Sequence, residues 1–116
     1  MPSSSPVVQL AIDQLVAYNA SDLDGFCACY HDDVCVLNED GTESLRGMEA
    51  FRERYRPMFE RGQFGGTVDE RTTTGPHCVE REHYWRNNAD GTRVQGTILV
   101  RYTERDGRIG TVQFFR

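Results

Sequence analysis

The chain contains no lysine: all 13 of its positive side chains are arginine, a bias we read as one of coding composition. A basic face is also missing. With 18 acidic residues and a formal net charge of −5, there is no electrostatic footprint for a phosphate backbone, so nucleic acid is not an expected partner. No apolar run is long enough to span a bilayer, and no membrane partner is expected. The first residues, MPSSSP, have neither the charged segment nor the apolar stretch of a secretory signal. Residues 1–6 therefore read as a disordered tail of a cytoplasmic protein.

The four cysteines include no C-x-x-C pair, which excludes a zinc ribbon or a thioredoxin-type motif on spacing. Cys27 and Cys29 lie two apart in a helical stretch and point to different faces. His31 falls between Cys27 and Cys35, but free buried cysteines ordinarily pack as small apolar side chains. No metal and no cofactor is expected. Motifs for covalent or phosphate chemistry are absent too. There is no G-x-S-x-G, and Gly65-Gly66 is not followed by the Lys-Ser or Lys-Thr of a phosphate loop.

What is present reads in two halves. At 116 residues the chain can bury one core, and residues 7–116 are expected to form a single domain. Helical spacing predicts a first helix over Val7–Asn19, with Val8, Ala11, Ile12, Leu15 and Val16 as its buried stripe. Ser21 is placed to cap a second helix, with Asp24 three residues on. Its stripe is Leu23, Phe26, Cys27 and Tyr30, and Asp32 and Asp33 close it. Val34–Leu37 reads as a strand, Asn38–Gly41 as a polar turn and Thr42–Leu45 as a short return strand. Gly47 opens a third helix with Met48, Phe51 and Tyr55 buried. Pro57 should end or kink it near Arg56. Gly62 and Gly65-Gly66 read as a flexible link.

From Thr67 onward the material is strand. Turn signals at Gly75-Pro76, Asn87–Gly91 and Asp106-Gly107 divide it into four, with no internal repeat. Alternation assigns Val94, Gly96, Ile98, Val100 and Tyr102 to one face of the third of these strands. Gly110, Val112 and Phe114 go to the matching face of the last, and Val79, His83 and Trp85 to that of the second. Helices first and a meander second predict an α+β fold, three helices packed on a strongly bent antiparallel sheet. Gly96 and Gly110 are the residues expected to permit the bend.

The stretch from Ala20 to Tyr55 is the most informative: a short helix, a strand, an acidic turn, then a helix opened by glycine with a tyrosine inside it. In that order and spacing it resembles nuclear transport factor 2-like domains, the superfamily that includes SnoaL-like proteins and ketosteroid isomerase. The resemblance implies a cone-shaped α+β barrel with a pocket for small, mostly apolar molecules. It also implies a homodimer paired through the outer sheet face, here Gln95, Thr97, Leu99, Arg101 and Thr103. Compared with ketosteroid isomerase from Leu10 to Tyr55, Tyr30 and Tyr55 match its supporting tyrosines. Its proton-carrying carboxylate falls on Asn38, its oxyanion tyrosine on Gln14, and its sheet aspartic acid near Ile98. With all three working groups replaced, an isomerase of that mechanism is excluded.

The remaining candidates are polar groups expected to face the pocket. His83, beside Trp85, is the candidate catalytic acid or base, since its proton exchange lies near neutrality. Glu80 and Glu82 alternate with it and are expected on the opposite face. Asn38, Tyr55, Trp85, Gln14 and Tyr30 are the candidate ligand-binding residues. Asn38 either orients a ligand carbonyl or caps the turn before Gly41. Two function classes stay open. One is a cofactor-free lyase, isomerase, cyclase or hydrolase acting on a small apolar metabolite. The other is a non-catalytic domain that binds a ligand or a protein.

Overall fold

The first helix, α1, forms over Val7–Asn19 as its spacing predicts, but it is rotated from the expected setting. In the computed structural model, which describes residues 5–116, Val7, Ala11, Gln14 and Ala17 are buried while Val16 is 63% exposed. The i, i+4, i+7 spacing holds for this stripe as well. Its two alanines let the helix lie close to the sheet. Of the tail expected at residues 1–6, residues 1–4 lie outside the described residues. Ser5 and Pro6 are docked: Ser5 Oγ donates to Glu104 at 2.8 Å, and the Pro6 carbonyl accepts from Leu10.

Helix α2 (Leu23–Ala28) is capped by Asp22, whose carboxylate accepts from Gly25 N at 3.0 Å. Ser21, the expected cap, sits instead at φ 55. Strand β1 then begins at Tyr30 and runs to Leu37, so Tyr30, Asp32 and Asp33 belong to the strand and do not close the helix. The sheet draws them in early: the Cys29 carbonyl accepts from Ile109 N at 2.9 Å, and Tyr30 pairs with Ile109.

After β2 (Glu43–Arg46), Gly47 at φ 93 opens α3 over Met48–Arg61. That helix does not end at Arg56 but continues past Pro57. Phe59, one turn-edge beyond it, is 6% exposed and packs 5.0 Å from Phe64. Burying such a ring is worth about 2 kcal/mol, enough to offset much of the missing donor.

The remaining strands are β3 (Phe64–Thr74), β4 (His77–Asn87), β5 (Arg93–Arg105) and β6 (Arg108–Phe115), and the sheet order is β2-β1-β6-β5-β4-β3. The fold is α+β: helices packed on one face of a curled, unclosed six-stranded sheet. One pairing departs from the all-antiparallel expectation, because β1 runs parallel to β6. These strands are joined by most of the chain rather than by a hairpin, so no turn dictates an antiparallel direction. Gly65 and Gly66 are not a link but part of β3. Gly65 faces Trp85 so closely that a Cβ there would lie 2.8 Å from the indole nitrogen.

The inner face of β5 is the expected one, with Ile98, Val100 and Tyr102 buried. The inner face of β4 is the reverse of the expected one. The hairpin closes with Asn87 opposite Arg93, so Glu80 stands opposite Val100 and Glu82 opposite Ile98. Val79, His83 and Trp85 therefore lie on the outer face. Under the helices, Phe26 stacks on Phe51 at 5.6 Å and packs against Tyr30 at 5.0 Å, filling the deep end of the cone.

Candidate functional site

At the other end of the cone the chain's own side chains leave a cavity of about 480 Å³. The strand register explains where it lies. The ends of β1 and β6 and the first half of β5 lie near one another in the middle of the sheet, and Val36, Ile98 and Phe114 from them form an apolar floor. Tyr55 and Met58 of α3 cover it, and Tyr18 of α1 closes one side.

Into this space projects Glu82. Its carboxyl is raised from 4.5 to about 7, first by burial and second by the charge of neighbouring Glu80. Neither cause is a hydrogen bond, so the group is not committed to a structural partner. Glu80 is so committed: it is 1% exposed, and its Oε2 accepts from Arg71 at 2.7 and 2.6 Å. The Tyr18 and Tyr55 phenols are both pushed up, first by burial and next by Glu82, Tyr55 to about 12. They remain neutral donors at any ordinary pH. A carboxyl that exchanges its proton near neutrality, against an apolar floor and beside two phenols, can take a proton from a bound molecule. The phenols can stabilise the negative charge left behind.

Tyr55 is the sequence candidate that lies where it was expected, on the cavity. Asn38 reaches the rim, but its amide is used locally. Nδ2 donates to Thr42 Oγ1 at 3.0 Å, and the Asn38 backbone carbonyl accepts from Gly41 N at 2.9 Å. The same bonds recur at Asn88–Thr92: Asn88 donates to Thr92 Oγ1 at 3.0 Å, and Asp90 receives Thr92 Oγ1 at 2.6 Å as Asp40 does from Thr42. That second turn joins β4 to β5 and borders no part of the cavity, so the N-x-D-G-T sequence is a turn device first. It is also an internal repeat that the sequence reading lacks.

Gln14 and Tyr30 meet each other instead of the cavity. Tyr30 Oη donates to Gln14 Oε1 at 2.9 Å, and Gln14 Nε2 donates to Tyr102 Oη at 3.1 Å and to the Ala11 carbonyl at 3.0 Å. The amide is saturated and ties α1 to β1 and β5, which explains the rotation of the helix.

His83 and Trp85 must be corrected. They lie on the outer face, where Trp85 carries the Arg93 guanidinium 4.5 Å from its ring centre. His83 Nε2 is 2.8 Å from Asp69 Oδ2 and its Nδ1 is 2.9 Å from Thr97 Oγ1. The sheet separates both from the cavity. The residue missed is Glu82, and a signal for it exists in the sequence. Counting outward from the Asn88–Thr92 turn pairs Glu82 with Ile98 and so with the apolar face of β5. The greasier look of Val79, His83 and Trp85 outweighed that count.

The SnoaL-like domain family model matches residues 11–111. Solved structures resemble the whole fold. An uncharacterized cystatin-fold protein from Novosphingobium aromaticivorans is 25% identical, with a TM-score of 0.84 over 98% of this chain and 100% of that one. RV0760c from Mycobacterium tuberculosis, in complex with estradiol-17β-hemisuccinate, is 17% identical with a TM-score of 0.85 over 97% and 95%. The Δ5-3-ketosteroid isomerase from a Mycobacterium species is 20% identical with a TM-score of 0.84 over 97% and 93%. No curated protein matches this chain in sequence.

Proposed function

The chain belongs to the SnoaL-like domain family, and within it we propose that residues 7–116 form one cofactor-free, cytoplasmic proton-transfer enzyme acting on a small apolar molecule, of the lyase, isomerase, cyclase or hydrolase kind. The observation that carries this reading is Glu82, a carboxyl raised to about 7 on the wall of an apolar-floored cavity. General bases are tuned to that range by burial and by a like-charged neighbour. The mechanism differs from that of ketosteroid isomerase, since Asn38 carries no exchangeable carboxyl proton and the Gln14 amide is fully bonded. Binding of a steroid ester by RV0760c supports a ligand of similar bulk here.

The probe for this reading is 5-nitrobenzisoxazole. A desolvated carboxylate removes its ring C–H proton, the N–O bond breaks, and the electrons leave on a nitrophenolate that absorbs visible light. The rate should rise with pH through about 7, and Glu82→Gln should lower it by about 100-fold. Equal rates in both proteins would remove Glu82 from catalysis. They would favour the second reading, a non-catalytic binding domain, which rests on the amides Asn38 and Gln14 standing where the isomerase has its base and oxyanion donor.

Two copies are proposed to pair through the outer sheet face, where Leu99 is 44% exposed among Gln95, Thr97, Arg101 and Thr103. A mixed apolar and polar surface suits a two-fold contact. Light scattering at micromolar concentration should give twice the chain mass, and a monomer would refute the pairing.

A further inference from the structure

The arginines of this protein divide into two groups. Of the 13 in the chain, seven lie within ion-pair distance of an aspartate or glutamate. The other six have no such partner among the described residues: Arg61, Arg93 and Arg101 do not line the cavity, and the remaining three are Arg54, Arg86 and Arg116. All three border the same cavity. They reach it from separate elements, α3, the end of β4 and the residue after β6. Arg54 donates to the neutral Ser44 Oγ at 2.9 Å. The acidic groups facing them are Glu82 and Glu39, and Glu39 accepts from the Arg116 backbone at 2.6 Å.

We propose that the cavity takes a ligand with an apolar body and one anionic end group, the anion seated on Arg54, Arg86 and Arg116 at the mouth. The proposal rests on the reading of this cavity as a small-molecule site and specifies what enters it. Guanidinium groups match planar or trigonal oxyanions in a two-pronged geometry and lose less hydration than ammonium groups when they do so. Three of them face only two carboxyl groups, Glu39 and Glu82, so positive charge is in excess at the mouth and an anion offsets it. The dimensions agree. Glu82, Tyr84 and Arg86 alternate along the inner face of β4, so Arg86 stands about 13 Å beyond Glu82 at the ordinary strand rise. A two- or three-ring body anchored by its anion at Arg86 therefore ends over Ile98, beside Glu82.

A matched pair of fluorescent probes tests this on the full chain. 8-Anilinonaphthalene-1-sulfonate and N-phenyl-1-naphthylamine share one body and differ in the sulfonate. The anionic probe should bind about tenfold more tightly at low salt and should displace the neutral one. Arg86→Gln and Arg116→Gln should each remove several-fold of the anionic probe's affinity and leave the neutral probe's affinity unchanged. Arg108→Gln removes an exposed charge paired with Asp32 and should change neither. Equal binding of the two probes would overturn the anionic preference and leave the cavity reading standing. So would an equal loss on Arg108→Gln, which would mark a general charge effect. If neither probe binds, the cavity reading itself fails, and this proposal with it.

Discussion

The two faces of the β3–β4 hairpin hold carboxylates that answer to their surroundings in opposite directions. On the inner face, burial and a like-charged neighbour push Glu82 up to about 7. On the outer face, Asp69 of β3 accepts two hydrogen bonds from Arg81 at 2.9 Å and lies 2.8 Å from His83, and these partners hold it well below the ordinary carboxylate range. The outer histidine has the familiar look of a catalytic group, with a carboxylate on one nitrogen and a hydroxyl on the other. It faces away from the cavity, and its partners are satisfied. Glu82 has no hydrogen-bond or ion-pair partner among the described residues. A well-bonded polar cluster is a finished structure, while a half-buried carboxyl on a cavity wall stays open to whatever the cavity holds.

The largest break in this contrast should come from Arg71. Glu80 is fully buried and Arg71 part-exposed, so Arg71→Ala leaves a buried carboxylate alone. It should cost about 3 kcal/mol in urea unfolding, the low end for a broken buried pair. A loss below about 1 kcal/mol would show that water already reaches Glu80.

Glu82 should act with the opposite sign. Its folded pKa lies above the unfolded value, so the folded state is favoured most at low pH and loses stability as pH rises from 4.5 through about 7. Glu82→Gln should therefore be more stable than the parent at pH 8, by up to about 3 kcal/mol, and equal to it near pH 4. No pH dependence in the difference would mean that the carboxyl is hydrated. A gain in stability on loss of the site is the trade expected of a functional group.

A smaller effect is expected at Gly96. Its missing Cβ has a steric use on the inner face. A Cβ there would lie 2.7 Å from Tyr84 Oη, so the glycine makes room for that ring on the cavity wall. Gly96→Ala should cost about 1 kcal/mol, and the cost should vanish in a Tyr84→Ala background. A cost that persists there would return the glycine to a backbone role.

The outer cluster should matter least. Asp69 has a lowered pKa, so its contribution is present above the unfolded carboxylate range and fades as pH falls. Asp69→Asn should shift the urea midpoint only slightly at pH 7, because exposed ion pairs are screened, and by progressively less as pH falls below the ordinary carboxylate range. It should leave the nitrobenzisoxazole rate unchanged. A slowed rate would bring the outer face back into the chemistry.

The parts of this fold that were legible are those set by local chemistry: the bounds of α1, the glycine before α3, the turns of the meander and the apolar face of β5. What was not legible depended on pairing across the chain. Alternation told that β4 has two faces, and only the count back from the Asn88–Thr92 turn tells which is inner, because Glu80 and Glu82 look like solvent residues until Arg71 and Ile98 stand beside them. The setting of α1 was misread for the same reason. The Val8–Val16 stripe is greasier, yet the Gln14 amide, bonded to Tyr30 and Tyr102, turns the helix the other way. Tyr30 and Tyr55 are both tyrosines of the resembled scaffold. One is sealed in a bolt and the other is left on the cavity, a distinction their spacing cannot carry.

Pro57 sits in α3 between Tyr55 and Met58, the two residues that cover the cavity. The Glu53 carbonyl therefore has no amide to receive from proline four residues on, and the helix lacks one rung at the place where it roofs the site. Opening at that point breaks fewer bonds than elsewhere along α3. One rung fewer makes this the turn of α3 that opens at the lowest cost, and it lies directly over the cavity.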